Sequence, residues 1–568
     1  MASGRTPFSL LVLVCWWLQS AACTPSLEPP IGDGDTLIVA LEAGPRNLLP
    51  VLAQSPLDAM VAANLQFSLF DVGFSCGLTF EPALALRWEF SDGGRALSVW
   101  LRDDIRWSDG QLVTAADVAR AMAVAGDAGA ESAHFGLIDE LVPGAAPKVL
   151  SPTELRFEFK RPAQPERALA QIDAVGVLPA HHLTDPGLDG AALRSHTLNR
   201  QAPVVSGPWS LESWTESELR LERNKAFTGP DSWRPHLARL VFRVLPDRQA
   251  RHEALERGEV DLVSGIPATE VEALEERVPN VQIRRRGWRD LEMVVWNTRI
   301  SAPNHNPLLE GPRAPLAPHP LFGDAALRRA LAAGIDTDRM IRELYTGELG
   351  GEAFARPAVG TLSPALCGVH NDKITRIPHD PAAGRAALAL LGWEDRNADG
   401  WLDKGGEPLR FRLVYNSGNP RSEPVIVRLR EDLATLGADA LVEGVEGPAF
   451  VDRLRRGDFD AALTTWTASL YADPESRWGR GAEHNFGRFE DDAVERLLEE
   501  ARLDPAASVR VAQAVQDEVY RQQPAAFLYW VGDLVGVDAR FHDTEIGLLS
   551  PAHRLHRWWV PADKRKRP

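Results

Sequence analysis

The sequence predicts a mixed α/β protein with more than one hydrophobic core. Its 568 residues are 44% hydrophobic and 25% charged, an ordinary globular composition, and a chain of this length forms two or three cores rather than one. Strand and helix patterns are mixed along the whole chain, with no short repeat and no low-complexity block, which favours α/β architecture.

The run Pro82–Val118 shows this mixture most clearly. Leu97–Leu101 alternates apolar and polar residues, the period of a half-buried strand. Asp109-Gly110 is a turn dipeptide. Thr114 is placed to cap a helix whose third residue, Asp117, reaches back to the cap. The run therefore predicts strands, tight turns and a capped helix.

Two further helices are delimited by their capping residues. Asp380-Pro381 opens a helix that Gly392 closes. A second helix over Glu423–Leu436 ends at Gly437 and is expected to lead into a strand over Ala440–Val445.

The charge balance limits the classes of partner. With 62 Lys and Arg against 79 Asp and Glu, the formal net charge is −17, which argues against nucleic acid or anionic lipid as the main partner. The basic end Lys564–Arg567 is expected to be a solvated tail.

The N-terminus has the features of an export signal. Arg5 gives a positive start, Phe8–Leu18 is an apolar run too short to span a bilayer comfortably, and the small residues Ser20–Ala22 precede Cys23. Cys23 stands where a bacterial lipoprotein carries its acylated cysteine. Ser20 replaces the usual leucine, so cleavage by ordinary signal peptidase without lipidation is an open alternative.

Two further cysteines remain after export, Cys76 and Cys367. Export permits a disulfide, but cysteines this far apart in sequence carry no information on proximity. The expectation is two separate buried thiols.

Several segments carry a resemblance to a known family. The Pro82–Val118 run resembles a signature of the family 5 solute-binding proteins, the oligopeptide-, dipeptide- and nickel-binding receptors of ABC importers. The resemblance continues in the same order from about Thr36 to about Trp559. The matching segments are VSGPW from Val205, LERN from Leu221, ALERGEVD from Ala254, VWNT from Val295, PLF from Pro320, LRRAL from Leu327, RGDFD from Arg456 and TW from Thr465.

The resemblance implies a type II periplasmic-binding-protein-like fold, with two lobes, a hinge and the extra domain of the peptide-binding members. The chain is expected to cross between the lobes at Trp296-Asn297 and near Val531. The implied segments are a signal peptide (1–22), a tether (23–35), lobe I (36–66, 204–290 and 532–568 with the basic tail), the extra domain (67–203) and lobe II (291–531).

One motif suggests catalysis. Gly73–Gly77 matches G-x-S-x-G, the nucleophile elbow of α/β-hydrolases, which requires a helix directly after the motif. Thr79 and Pro82 make a helix improbable there. Ser75 is expected to line the cleft rather than to act as a nucleophile.

Two motifs suggest metal binding. Asp395–Trp401 begins like a calcium loop, but Gly406 stands where the closing acid belongs, and a turn is expected. Adjacent residues such as His181-His182 point apart on a helix or strand and rarely share one ion. No zinc-protease, paired-cysteine, P-loop or dinucleotide motif occurs, so the sequence predicts no metal and no cofactor.

Ligand choice depends on the stretch from Thr465 to Pro474. In peptide-binding members an Asp here pairs with the peptide α-ammonium, because a desolvated ammonium needs an opposite charge. Ser469 stands at the matching position, which leaves peptide binding open. The expected contacts are apolar walls from Phe74, Trp466 and Tyr471, and polar groups from Ser75, Asn297, Arg356, Ser469 and Asp473.

The predicted function is that of an exported receptor, anchored through lipid on Cys23, at the periplasm or cell surface. It is expected to act as a monomer, to close two lobes around a small solute or peptide, and to deliver it to an ABC permease without catalysis. The alternatives are a sensing or interaction lipoprotein on the same fold and an exported serine hydrolase using Ser75.

Overall fold

The computed structural model describes residues 35–142, 147–185, 189–301, 316–345, 354–419 and 421–566. The predicted signal peptide, Cys23 and nearly all of the tether lie outside the described residues. Among the residues described, no helix combines the length and the apolar character needed to cross a bilayer.

The strands are, in chain order, β1 (Thr36–Leu41), β2 (Phe70–Phe74), β3 (Leu78–Pro82), β4 (Ala85–Ser91), β5 (Ala96–Leu101), β6 (Lys148–Ser151), β7 (Glu154–Glu158), β8 (Trp209–Trp214), β9 (Glu218–Arg223), β10 (Arg239–Val244), β11 (Leu262–Ser264), β12 (Val281–Trp296), β13 (Arg299–Ser301), β14 (Leu316–Pro318), β15 (Ala355–Pro357), β16 (Asp403–Lys404), β17 (Glu407–Pro408), β18 (Arg410–Asn416), β19 (Asp439–Val445), β20 (Ala461–Thr467) and β21 (Ala525–Asp538).

The helices are α1 (Pro56–Leu65), α2 (Ala115–Ala125), α3 (Phe135–Glu140), α4 (Pro165–Val175), α5 (Gly190–Ser195), α6 (Thr197–Arg200), α7 (Arg248–Glu256), α8 (Val271–Arg277), α9 (Ala325–Ala333), α10 (Thr337–Tyr345), α11 (Pro381–Leu390), α12 (Ser422–Thr435), α13 (Gly447–Arg456), α14 (Glu475–Trp478), α15 (Asp492–Leu503) and α16 (Ser508–Gln522).

The predicted capping signals are confirmed. Thr114 and Asp117 form the capping box of α2. The Asp380 side chain accepts a hydrogen bond from the Ala383 N–H at the start of α11, and α12 is followed by strand β19. These local features form where expected because each depends on residues only a few positions apart.

One mixed sheet runs through the molecule. Its order is β19-β18-β20-β12-β21-β11-β1-β10-β9-β8, and β15 also pairs with β21. We call the part from β11 to β8 the first half and the part from β19 to β20 the second half. The long antiparallel strands β12 and β21 belong to both halves.

The halves are joined where β12 is irregular. Register shifts occur between Arg286 and Trp288 and between Trp288 and Asp290, and Asp290 pairs with Val531 of β21. Trp296 lies farther along β12, paired with Ala461 inside the second half. The expected crossing at Trp296-Asn297 is therefore wrong, because β12 pairs with β20 of the second half in unbroken register from Asp290 to Trp296.

Each half has a core on both faces of the sheet. Leu37 and Val39 of β1 pack on one face, and Ile38 and Ala40 pack on the other, as side chains alternate along a strand. The second half likewise has two cores. A separate four-stranded sheet, β4-β5-β7-β6, has its own core with helices α2 and α4.

A buried ionic cluster holds the first half together. The Arg540 guanidinium contacts Asp35, Asp261 and Asp538 at 3.0, 2.7 and 2.6 Å. All four side chains are buried, with 8% or less exposed. The cluster joins the residue before β1 and the end of β21 to the loop before β11. Lys566 of the basic end also pairs with Asp538 at 2.7 Å, so this end is not simply the solvated tail that was expected.

Candidate ligand-binding site

The β2–β3 hairpin forms a two-stranded sheet of its own. Its base is held by the C-terminal segment, because Arg554 and Arg557 both pair with Asp71. His553 also hydrogen-bonds the Val72 carbonyl. The hairpin turn contains the G-x-S-x-G motif, with Ser75 exposed. A strand follows the motif where a hydrolase elbow requires a helix.

A disulfide joins the tip of this hairpin to the second half. Cys76 is bonded to Cys367, with the Cα atoms 4.9 Å apart and a sequence separation of 291. Both cysteines are exposed. The expectation of two separate buried thiols was wrong, because the fold brings the hairpin beside the loop that follows β15.

The hairpin and the second half also share a small apolar cluster. Leu78 of β3 and Leu470 are buried in it, and Phe74 and Tyr471 pack against it. Two of the predicted apolar residues therefore lie in one cluster although nearly 400 positions separate them in sequence.

Beside this cluster lies a small cavity in the second half. Its lining residues come from the loop after β15 and from the end of β20 onward: Thr361, Leu362, Leu366, Trp466, Ser469, Tyr471, Asp473 and Arg477. Four predicted site residues, Trp466, Ser469, Tyr471 and Asp473, thus meet at one cavity.

The part of the chain that contains the sheet β4-β5-β7-β6 and helix α4 also approaches this cavity. Arg167 of α4 forms an ion pair with Glu140 and interacts electrostatically with Asp473 and Tyr471. Burial raises the pKa of Tyr471 to about 12, and the neighbouring Asp473 acts in the same direction. The Tyr471 hydroxyl therefore stays protonated at neutral pH.

Four predicted site residues do not line this cavity: Phe74 and Ser75 of the hairpin, Asn297 and Arg356. Asn297 is fully buried, and its side-chain amide donates to the carbonyls of Gly457 and Phe459. Arg356 lies exposed on β15, where its backbone pairs with Trp530. Asn297 holds two segments of the second half together, which the VWNT signature alone does not reveal.

Sequence reasoning missed Arg477. This residue lies in the short helix α14 and is 2% exposed, and the Trp466 ring centroid is 4.9 Å from its guanidinium carbon. The available signal was an arginine within three residues of the Asp473-Pro474 dipeptide. No periodic pattern marks it as buried, because α14 is too short to show one.

A second missed group is an acidic pair on β12. Asp290 and Glu292, two residues apart, face the same side of the strand. Thr467 donates to Asp290 and Thr465 to Glu292, each at 2.9 Å, while Arg421 donates to Asp290 at 3.3 Å. The available sequence signal was the spacing of two residues between these acids, which places both on one side of an extended segment.

Glu292 should make the stability of the protein pH-dependent. Burial raises its pKa to about 7, opposed by Arg421 and by the hydrogen bond from Thr465. The folded state therefore holds this proton at pH values where the unfolded chain has released it. The contribution of Glu292 to the free energy of unfolding is fully present below about pH 4.3 and is lost as the pH rises through about 7.

We expect Glu292→Gln to remove this dependence. Between pH 5 and 8 the wild type should lose about 2–3 kcal/mol more unfolding free energy than the variant, since one pKa unit corresponds to about 1.4 kcal/mol. Urea titrations at both pH values measure the difference. Glu407→Gln, at an exposed glutamate, is the control. Parallel pH profiles for wild type and Glu292→Gln would contradict the prediction.

The histidine pair departs from expectation. His181 and His182 both place Nε2 2.7 Å from the same oxygen of Asp109. The prediction that these adjacent side chains point apart is wrong, because the two residues lie in a 3₁₀ turn rather than in an α-helix or a strand. Burial raises the pKa of Asp109, but the hydrogen bonds outweigh it and bring the pKa to about 2.

The predicted turn at Asp395 is also present. The Asp395 carboxylate accepts hydrogen bonds from the backbone N–H groups of Asp399 and Gly400. The short β16–β17 hairpin follows, where a calcium-binding helix–loop–helix would have its exiting helix.

Comparison with known proteins identifies the family. The family of bacterial extracellular solute-binding proteins, family 5 Middle, matches residues 79–484. The chain belongs to this family. This solute-binding protein is 23% identical to the oligopeptide-binding protein AppA of Bacillus subtilis, over 83% of this chain and 81% of that one. It is 25% identical to the nickel-binding periplasmic protein of Escherichia coli, over 68% and 67%.

Solved structures agree on the fold. AppA of Bacillus subtilis in complex with a nonapeptide matches with a TM-score of 0.72 and 21% identity, over 94% of this chain and 100% of that one. NikZ of Campylobacter jejuni in complex with Ni(L-His) gives 0.70 and 20%, over 93% and 100%. The predicted type II fold is thereby confirmed, and the chain is a solute-binding receptor of the ABC-importer class.

Proposed function

We propose that this solute-binding protein traps a small solute between the two halves of its sheet by hinge closure and delivers it to an ABC permease. The hinge is the irregular segment of β12 with the facing part of β21. Binding energy shifts the balance from open to closed, because contacts to both halves exist only in the closed form.

The observation that carries this proposal is the convergence around the small cavity. Trp466, Ser469, Tyr471 and Asp473 line it, and Phe74 reaches Tyr471 from the hairpin. An apolar wall with a few polar groups, shared between separately folded parts, is the usual form of a small-molecule site. Phe74, Trp466 and Tyr471 supply the walls and Ser469 a hydroxyl.

The assignment of lobes and anchor belongs to the same proposal. Lobe I comprises residues 36–66, 204–290 and 532–568, lobe II 291–531 and the extra domain 67–203. Lipid on Cys23 holds the receptor at the outer face of the membrane. These assignments rest on the order of the family signatures and on the small residues before Cys23.

Native mass spectrometry of the full chain, produced by an exporting bacterial host, tests the receptor function. We expect a mass excess that disappears on denaturation and identifies the released molecule. Di-, tri- and nonapeptides and nickel–histidine are then added to the refolded, emptied protein, and scattering is used to look for compaction. In the same host, Cys23→Ala is expected to move the protein from the membrane to the soluble fraction.

The outcomes separate the proposals. Absence of any bound molecule, together with no compaction by any of these probes, would overturn the receptor function. Unchanged membrane association of Cys23→Ala would overturn only the anchor. Turnover of ester substrates that is lost in Ser75→Ala would favour the hydrolase alternative.

A further inference from the structure

A buried arginine in the second half has no anionic partner among the residues that the structure describes. Arg477 is 2% exposed. Its hydrogen bond among the described residues is a long one, from Nη2 to the Met293 thioether at 3.8 Å. In the described part of the chain, no Asp or Glu oxygen lies within 4.0 Å of the guanidinium. Buried arginines are normally paired, so this one requires an explanation.

Aromatic rings provide only partial compensation. The ring centroids of Trp466, Trp478 and Phe486 lie 4.9, 5.7 and 5.7 Å from the guanidinium carbon. Such contacts are weaker than a charge-assisted hydrogen bond to an anion. Burial lowers the pKa of Arg477 to about 9, so the side chain remains cationic at neutral pH.

The guanidinium lines the small cavity described above, together with two hydroxyl groups. Neither the Ser469 nor the Tyr471 hydroxyl hydrogen-bonds to another of the described residues. Asp473 also lines the cavity, but its carboxylate accepts from the Ser476 N–H and interacts with Arg167. Apart from the long contact with the Met293 thioether, these three donor groups have no hydrogen-bond acceptor among the described residues, and their residues line one cavity.

The cavity suits the end of a molecule rather than a whole solute. In this conformation the cavity has room for about one water molecule. Tyr471 lines the cavity and also packs in the apolar cluster with Phe74 of the hairpin, so the remainder of a solute would lie on that side when the halves separate.

We propose that Arg477 binds a carboxylate of the solute in this cavity, with Ser469 and Tyr471 as additional donors. The planar fork of arginine matches the two oxygens of a carboxylate. This inference rests on the proposed receptor function and makes it narrower: the solute is an acid.

Propionate and its neutral match propionamide test this proposal by calorimetry and thermal unfolding, at constant ionic strength set with NaCl. We expect propionate, and not propionamide, to raise the melting temperature of the wild type. Arg477→Met should weaken propionate binding at least ten-fold. Without propionate, this variant should melt higher than the wild type, because it removes an uncompensated buried charge.

Two control variants keep the test specific. Arg480→Met, three residues away at an exposed arginine, and Arg356→Met, at the exposed arginine that was expected to be a polar contact, should respond to propionate like the wild type. An equal response in Arg477→Met, no response in the wild type, or stronger binding of inorganic phosphate than of propionate would overturn the proposal. So would a lower melting temperature of propionate-free Arg477→Met.

The result is separable from the receptor function. If Arg477→Met retains the co-purified solute at wild-type occupancy in native mass spectra, the receptor function stands and the carboxylate subsite is wrong. If the wild type responds to propionate but no solute or compaction is found, the subsite stands and the receptor function falls.

Discussion

Replacing Arg540 with methionine is expected to lower the free energy of unfolding by at least about 3–5 kcal/mol, the usual cost of removing one partner from a buried ion pair. The cost should exceed that of a simple pair, because Asp35, Asp261 and Asp538 all contact this guanidinium. Three buried carboxylates would lose this guanidinium at once, although Asp538 would keep its ion pair with Lys566 at 2.7 Å. Urea unfolding followed by circular dichroism measures the change.

Arg510→Met is the matched control. Arg510 is exposed and pairs with Glu500 at the surface, and such pairs contribute about 1 kcal/mol or less. Arg540→Lys should lie between the two, since it keeps the charge but loses the planar fork. Equal unfolding free energies for Arg540→Met and Arg510→Met would show that the cluster does not stabilise the first half.

Reducing the Cys76–Cys367 disulfide should release the two halves of the sheet. The hairpin that carries Cys76 is held to the first half through Asp71, and Cys367 belongs to the second half. The covalent bond therefore limits how far the halves separate. We expect the reduced, solute-free protein to have a larger radius of gyration than the oxidised protein, and to exchange bound solute faster.

Stability should change as well. A disulfide typically contributes about 2–4 kcal/mol, so the variant Cys76→Ser with Cys367→Ser should unfold at lower urea concentration than the oxidised wild type. Reductant should change the scattering curve of the wild type and leave that of the double variant unchanged. Coincident curves for oxidised and reduced wild type would contradict a role in limiting opening.

Local structure was predictable because its causes are local. The capping box of Thr114 and Asp117 involves residues three positions apart, and the Asp380 cap depends on the next three residues. The contacts of Asn297 and of the histidine pair were not predictable in this way. Asn297 is held by carbonyls 160 and 162 residues later in the chain, and the imidazoles meet a carboxylate more than 70 residues earlier.

The order of signature segments along the chain, read with their capping and turn residues, determined the family, the mixed α/β fold and half of the residues that line the cavity. Only the tertiary structure decided that Cys76 reaches Cys367, that Asn297 is structural, and that Arg477 is buried without a counter-ion. The physical reason is that pairing and burial depend on distances in space, and sequence separation constrains those distances only over a few residues.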